Sequence, residues 1–127
     1  MSETVLIILP LPPPCLSSNH QSGSAGGRMK RARVARHYRA LARDAVVAAG
    51  VESAPWHRAT ISARFLHKTR RRRDDVNHLG MLKPAYDGLV DGGLLVDDDS
   101  EHLSTLCCEF GLDKLHPRVE LWLERLE

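Results

Sequence analysis

Residues 59–77 read ATISARFLHKTRRRRDDVN, a stretch with two distinct halves. In the first half, apolar and polar side chains alternate, with Ile61, Ala63 and Phe65 set against Thr60, Ser62 and Arg64. A period of two is typical of a half-buried β-strand, so we expect a strand over residues 59–67. The second half places five cations in six residues directly before two aspartates. The stretch therefore predicts a strand that is followed at once by a strongly charged segment.

Hydrophobic periodicity on either side of this stretch predicts the other elements. Apolar runs or alternation predict three more strands, at residues 5–9, 103–110 and 119–123. Apolar positions at helical spacing predict two helices, over residues 28–49 and about 80–92. Gly50 is a stop signal for the first helix, and Pro84 suits the first turn of the second. Residues 15–27 are rich in turn formers and predict a flexible loop.

The expected fold class is α+β, with one compact domain over residues 1–127 in which a small mixed sheet of about four strands packs with two main helices. A chain of 127 residues and 14.2 kDa has the length of one domain. No apolar run approaches the ~20 residues that a membrane-spanning helix needs, so we expect no membrane segment. The first charge is acidic, at Glu3, and the apolar run after it is short, which argues against a secretion signal.

The cysteines indicate a reducing compartment. Their count of three is odd, and Cys107 and Cys108 are adjacent, so a disulfide scaffold is not expected. We interpret the protein as cytoplasmic. The two adjacent cysteines are expected to be small core residues.

Charge is distributed very unevenly along the chain. Residues 1–73 contain fourteen lysines and arginines against three acids, a net charge of +11, whereas residues 74–127 contain four against thirteen, a net charge of −9. A basic half favours binding to a polyanion such as nucleic acid. Acids beside a phosphate-binding surface would repel the ligand unless a divalent cation lay between them. The polarity therefore suggests a metal-dependent enzyme that acts on nucleic acid.

Two acidic clusters flank the second predicted helix. Asp74 and Asp75 precede it, and Asp97, Asp98 and Asp99 follow it. The non-helical residues between them give enough slack for one cluster to fold back towards the other. Mg²⁺ prefers hard oxygen ligands and often takes one or two carboxylates together with a substrate phosphate. The alternative is that these acids cap helix ends or lie solvated in loops.

Three groups of cations are candidates for holding DNA phosphates. Four consecutive arginines precede Asp74, and they form what we call the arginine run: Arg70, Arg71, Arg72 and Arg73. Arg36, Arg39 and Arg43 repeat along one face of the first helix, and we call them the helix arginines. Lys83 stands inside the acidic half, where its charge suits a phosphate under attack. Each group also has a simpler interpretation as solvated surface charge, and a basic run can serve as an address signal.

Other metal and phosphate sites are not supported by spacing. Asp97, Asp99 and Glu101 match the first alternate ligands of a calcium loop, but His102 then occupies the position that needs glycine. The cysteines and histidines lack zinc spacing, and no Lys-Ser/Thr pair follows the glycines of residues 23–27. His78 lies near the first acids as a candidate base, or simply as a surface histidine.

Several motifs in residues 70–100 together resemble the RusA-type Holliday junction resolvases, crossover junction endodeoxyribonucleases that are common in phages and prophages. The similar residues are the arginine run with Asp74, Asp75, Val76 and Asn77, then Lys83, Asp87-Gly88-Leu89, Gly92-Gly93 and Asp97-Asp98. The opening Leu9-Pro10-Leu11-Pro12-Pro13, with Ser18-Asn19 further on, is also similar to that family's beginning.

The resemblance implies a compact α+β homodimer that binds four-way DNA junctions and cuts symmetrically related strands with Mg²⁺ or Mn²⁺. By this correspondence Asp74 is the first metal-ligand aspartate, Lys83 the catalytic lysine, and Asp98 the aspartate after the second helix. Asp75 and Asp97 are further candidate ligands. Asn77 matches the asparagine that follows the first acids.

Three functions remain open from the sequence. The first is a Mg²⁺-dependent junction endonuclease of recombination and repair, in the cytoplasm of a bacterial host and encoded by a phage or prophage. The second is a non-catalytic DNA-binding protein of the same fold, which Val76 favours because the family pattern places an acid at that position. The third is a nuclease for other branched DNA, such as flaps or forks. The sequence does not choose between branched substrates.

Overall fold

A computed structural model describes residues 3–17 and 23–126, and it confirms a mixed α+β fold with a four-stranded sheet and two main helices. In chain order the elements are β1 (Thr4–Leu9), a 3₁₀ turn (Pro14–Leu16), α1 (Ala25–Ala49), β2 (Ala59–His67), α2 (Asp75–Gly80), α3 (Lys83–Asp91), β3 (Leu103–Leu112) and β4 (Arg118–Arg125). No helix in these two described ranges is both long enough and apolar enough to cross a membrane.

Strand β2 lies inside the sheet, whose strand order is β1-β4-β2-β3. It pairs antiparallel with β4 and parallel with β3. Ala59, Ile61, Ala63 and Phe65 are all buried, as the alternation in this strand predicted. The bounds of β2 are those expected from the sequence, and its C-terminal end leads directly into the arginine run.

Helices α1 and α3 pack against each other at unusually close range. Helix α3 presents Gly88 and Gly92, one turn apart, to the side of α1 that carries Ala42 and Val46. A Cβ atom added at Gly88 would lie 2.7 Å from the Ala42 Cβ, and one at Gly92 would lie 2.8 Å from the Val46 Cβ. Neither position has room for a side chain, so the two glycines determine how closely α3 approaches α1.

The helix expected over about residues 80–92 is confirmed as α3, which begins at Lys83 with Pro84 in its first turn. Residues 76–80, expected to be non-helical, instead belong to the short helix α2. It begins after Asp74, whose side chain accepts a hydrogen bond from the Val76 N–H and caps the helix. Proline lacks an N–H and clashes with the preceding turn, so one helix cannot run continuously through Pro84.

Two smaller expectations were wrong. Helix α1 begins at Ala25, not at residue 28, because the Ser24 hydroxyl caps it by accepting from the Gly27 N–H. Both ends of the loop predicted over residues 15–27 are therefore regular structure: residues 14–16 form the 3₁₀ turn, and α1 begins at Ala25. Residues 18–22 of that loop lie outside the described ranges. Cys107 is exposed, not a core residue, because β3 is an edge strand; Cys108 is partly buried against the core.

Candidate nucleic-acid and metal site

Lys83 lies between two carboxylates at the start of α3. Its Nζ donates to Asp98 Oδ2 at 2.8 Å and to Asp87 Oδ1 at 2.9 Å. Asp98 raises the pKa of Lys83, and Asp87 adds to the effect. The structure therefore brings together Lys83 and Asp98, two predicted site residues that are fifteen positions apart. The Asp98 side chain is mostly shielded, with 12% of its surface exposed, whereas Lys83 is 64% exposed.

Arg39 extends this network across the α1–α3 interface. It forms two hydrogen bonds to the carboxylate of Asp91, one of them 2.9 Å from Nη2 to Oδ1, and its Nη1 lies 3.9 Å from Asp87 Oδ2. The pKa of Asp91 is lowered by Arg39. Two cations and three acids are thus joined on one surface. Arg39, predicted as a phosphate contact, already has carboxylate partners within the protein.

The first acidic cluster serves as a helix start. Asp74 Oδ1 and Asp75 Oδ1 both accept from the Val76 N–H, at 3.0 and 2.9 Å. Both side chains are exposed and therefore accessible. The Ser17 hydroxyl donates to Asn77 Oδ1 at 2.9 Å, which ties α2 to the segment after the 3₁₀ turn. The interpretation of acids as helix caps thus applies to Asp74, and it leaves the carboxylates exposed to a ligand.

Two partly buried groups, Cys108 on β3 and Tyr86 on α3, have pKa values that the acidic clusters influence. Burial raises the pKa of Cys108 to about 11, and the charge of Asp75 contributes to this rise. Burial likewise raises the pKa of Tyr86, where Asp98 and Cys108 also contribute. The charge of Asp75 thus acts on Cys108, and that of Asp98 acts on Tyr86. Within the described residues, however, Asp74, Asp75 and Asp98 do not converge into one compact ligand set.

The group that can hold a metal ion is Asp97, Asp99 and His102, whose ligand atoms all lie within 4.8 Å of one another. Asp99 Oδ1 lies 2.6 Å from His102 Nδ1 and also accepts from the His102 N–H. Asp99 raises the pKa of His102, and His102 lowers that of Asp99. Of the four predicted ligands, Asp97 belongs to this group; Asp74, Asp75 and Asp98 stay predictions.

Sequence reasoning considered His102 only as a defect in a calcium loop. The tight turn formed by residues 99–102 brings the imidazole back to the Asp99 carboxylate. The available signal was the spacing of an aspartate and a histidine three residues apart, which a single turn closes.

The arginine run lines a cavity of about 190 Å³ at the end of β2 and β3. Its walls are Thr69, Arg70, Arg71, Arg73, Phe110, Gly111 and Leu112. Arg73 Nη2 donates to the Thr69 carbonyl at 2.8 Å, which fixes one arginine against the backbone. Burial and the charge of Arg71 lower the pKa of Arg73. None of the ion pairs between described residues involves the run, so this positive charge lacks a carboxylate counterpart there.

The helix arginines differ in this respect. Arg39 pairs with Asp91, and Arg43 Nε lies 3.0 Å from Asp44 Oδ1. Arg36 is exposed on the same face and, with Arg39, Arg43 and Asp91, lines a shallow groove. The groove therefore contains a carboxylate as well as cations.

Comparison with known proteins leaves the resemblance as it stood, since no family model matches the chain and no curated protein matches its sequence. The similarity to the resolvases thus depends on the motifs of residues 70–100 and stays a prediction.

Proposed function

We propose that the protein is a Mg²⁺-dependent, structure-selective endodeoxyribonuclease that cuts four-way DNA junctions, as the RusA-type resolvases do. The observation that carries the proposal is the cavity lined by Arg70, Arg71 and Arg73, whose charges have no carboxylate partner among the described residues. Guanidinium groups bind phosphate oxygens in a bidentate manner. Asp74 follows these arginines directly, so a bound phosphodiester would lie close to its exposed carboxylate.

The proposed ligands of Mg²⁺ or Mn²⁺ are the carboxylates of Asp74 and Asp98, with those of Asp75 and Asp97, because carboxylate oxygens are donors that these ions prefer. Of the four, Asp97 lies in the group with Asp99 and His102 that can hold an ion. When bound at such carboxylates, a divalent ion polarises a phosphodiester and lowers the pKa of a bound water.

The chain's own residues have separate roles in this proposal. The arginine run binds and orients the sugar–phosphate backbone, and binding is expected to be shape-directed and strongly salt-dependent. Lys83 places an exposed ammonium beside Asp98, where it offsets negative charge that develops on the phosphate. Asn77 accepts from Ser17 and so positions the helix that begins at Asp74.

The first test is Asp74→Asn, assayed for cleavage of a four-way junction with Mg²⁺. Asparagine is also a good helix N-cap, so α2 should remain intact while the carboxylate charge is lost. We expect cleavage to fall by about 100-fold or more, by analogy with the loss of other groups that stabilise transition-state charge. Junction binding should persist.

The matched control is Asp44→Asn, which removes an exposed carboxylate on α1 paired only with Arg43. Its cleavage rate should equal that of the wild type. Normal cleavage by Asp74→Asn would show that the active site is elsewhere. A smaller loss is expected for Asp75→Asn; an equal loss would show that Asp75 substitutes for the acid that Val76 replaces.

A second candidate function is a non-catalytic DNA-binding protein of the same fold. It is favoured by the same Lys83 contact, because an ammonium that occupies the space between Asp87 and Asp98 leaves these acids less need for a metal. Incubation of branched and linear DNA with and without Mg²⁺ separates the two functions. Cut products that require Mg²⁺ support the nuclease, and their position identifies junctions, flaps or forks as the substrate.

The proposal includes a homodimer in the cytoplasm of a bacterial host, encoded by a phage or prophage. Strand β3 is a sheet edge, and its Leu106 is 65% exposed, which suits pairing with a second chain. A two-fold dimer would present two equivalent sites to a symmetric junction. The three cysteines are free, as a reducing compartment favours. Light scattering of the purified protein tests the dimer.

A further inference from the structure

A second and larger cavity adjoins the one lined by the arginine run. It has a volume of about 620 Å³, within the roughly 300–1,000 Å³ typical of small-molecule sites. Its walls include Pro12, Pro13, Pro14, His67, His78 and Met81. Flat rings, proline faces and a thioether are surfaces on which a planar aromatic ligand can stack.

The histidines of this cavity offer polar atoms together with ring faces. The His67 and His78 rings meet edge to face, with centroids 5.3 Å apart. His78 Nδ1 lies 2.8 Å from the Asp74 carbonyl oxygen, which can only accept, so Nδ1 must donate.

His67 presents an unfulfilled hydrogen-bonding requirement. Its Nε2 is shielded from solvent and has no hydrogen-bond partner in the described part of the chain. Shielded polar atoms in native proteins are nearly always bonded, so an unbonded one needs an explanation. Burial, Arg73 and His78 together lower the pKa of His67 to about 4, so the ring is neutral near pH 7. The neutral His67 ring therefore contributes an uncharged surface to the cavity wall, against which a nucleobase can pack.

Arg73 connects the two cavities, because it contributes to the walls of both. A phosphate held by Arg70, Arg71 and Arg73 would therefore bring its attached nucleoside to the entrance of the larger cavity. A paired and stacked base cannot enter, since its faces and its hydrogen-bonding edge are already occupied.

We propose that the cavity bounded by residues 12–14, His67, His78 and Met81 binds one unpaired nucleobase of the DNA strand whose phosphate lies against the arginine run. The inference rests on the proposed action on branched DNA, because bases next to a branch point lack the continuous stacking of a duplex and are the easiest to unpair. The proposed base-binding cavity would let the protein distinguish DNA with an unpaired base from a continuous duplex.

The probe is 2′-deoxyadenosine 5′-monophosphate, titrated into the full chain and followed by NMR, with inorganic phosphate in a parallel titration. We expect the nucleotide to shift the ring signals of His67 and His78, and its adenine protons to show contacts with the Met81 methyl group. Phosphate alone should leave the Met81 methyl signal in place. Equal changes with phosphate, or adenine contacts absent from the Met81 methyl, would overturn the proposal.

Pro14→Trp tests the cavity itself, since Pro14 is exposed at its rim and an indole there would obstruct the space. The variant should weaken nucleotide binding at least tenfold. Leu115→Trp is the control, because Leu115 is 83% exposed in the turn before β4, outside the cavity walls. His67→Phe keeps a ring face and removes Nε2, so it should weaken binding less than Pro14→Trp. Unchanged affinity in both Pro14→Trp and His67→Phe would place the base elsewhere and overturn the proposal.

Junction cleavage, measured on the same wild-type preparation, separates this inference from the proposed function. Adenine contacts with Met81 in a protein that cuts no branched DNA would keep the nucleotide cavity and reject the nuclease. Mg²⁺-dependent junction cleavage in a protein that shows no such contacts would keep the nuclease and reject the cavity as a base site.

Discussion

The arginine run and the helix arginines are similar in composition but differ in their surroundings. Arg70, Arg71 and Arg73 line a concave surface and have no carboxylate partner among the described residues. Arg39, in contrast, holds Asp91 across the α1–α3 interface, and Arg43 holds its neighbour Asp44. An arginine already paired with an acid must exchange that partner to bind a phosphate. The comparison supports the arginine run as the proposed phosphate-binding surface, whereas Arg39 joins two helices.

The largest expected effect is the loss of junction affinity when three arginines of the run are replaced together. Arg70, Arg71 and Arg73 replaced together by alanine should weaken binding to a four-way junction by about 1,000-fold or more, since charge-assisted hydrogen bonds contribute ~1.5–3 kcal/mol each. The slope of log affinity against log salt should also become shallower by roughly 3, because each lost contact with duplex phosphate accounts for about 0.9. Fluorescence anisotropy in EDTA over a salt series measures both quantities.

The matched set is Arg36, Arg39 and Arg43 replaced together by alanine. This variant should keep most of its junction affinity and lose thermal stability, the reverse of the first variant. If the helix set lost as much affinity as the run, the internal pairing of Arg39 and Arg43 would not prevent phosphate binding, and the distinction between the two regions would be wrong.

A smaller effect separates neighbours within the run. Arg71 lines the cavity, whereas Arg72 is exposed and is not part of its walls. We expect Arg71→Ala to weaken junction binding about tenfold, which corresponds to ~1.4 kcal/mol. Arg72→Ala should change it less than about twofold, as for exposed ionic contacts. Equal losses would show that net charge, not the shape of the cavity, determines binding.

Local sequence pattern predicted the strands and helices well where an element buries one apolar face, because that face produces a regular spacing of apolar residues. The alternation in β2 gave the bounds Ala59–His67, and the apolar spacing gave a long first helix. It failed where a single side chain decides an end. Ser24 starts α1 three residues early despite Gly26 and Gly27, and the Asp74 cap starts the short helix α2 in residues that were expected to be non-helical.

The candidate site was less predictable, because its pairings are distant in sequence. Lys83 and Asp98 were both identified, but their contact depends on how the chain returns after α3. The pairing of Arg39 with Asp91 spans 52 positions and depends on Gly88 and Gly92, which allow the helices to approach closely. Hydrophobic periodicity contains no information on such a contact. The sequence alone therefore could not show that Arg39 is paired with a carboxylate while the arginine run is not.

The contact between Arg39 and Asp91 joins two helices, so these two residues should be coupled in their effect on thermal stability more strongly than Arg43 and Asp44 are. A double-mutant cycle of Arg39→Ala and Asp91→Ala should show a small positive coupling in thermal stability, because this pair joins α1 to α3. The cycle of Arg43→Ala and Asp44→Ala should show less, since both residues lie on α1. Arg39 lowers the pKa of Asp91, so its contribution is present above the ordinary value of 3.8 and is lost as the pH falls below it. Coupling of the same size at pH 7 and in acid in which Asp91 of the folded protein is protonated would contradict an ionic origin.

The smallest expected effect is a change in the pKa of His67, which reports the electrostatic potential that Arg73 of the run and Arg39 of α1 exert at this histidine. Burial contributes most to the low pKa of His67, about 4, and the charge of Arg73 contributes next, followed by His78. NMR titration of the His67 ring should therefore give a higher pKa in Arg73→Ala, still below the ordinary 6.5 because burial remains. Arg39→Ala should leave it unchanged, since Arg39 is not among the groups that shift it.

The same difference should appear in acid stability. Because the folded-state pKa of His67 lies below 6.5, its contribution to stability is complete above pH 6.5 and is lost as the pH falls towards 4. Arg73→Ala, with a higher pKa in the folded state, should lose less stability over this interval than the wild type, and Arg39→Ala should lose as much. Thermal melting at pH 7, 5.5 and 4.5 measures the loss. If neither Arg73→Ala nor Arg39→Ala changed the pKa of His67, the electrostatic potential of Arg73 at this histidine would be no stronger than that of Arg39. The proposed difference between the two regions would then be wrong.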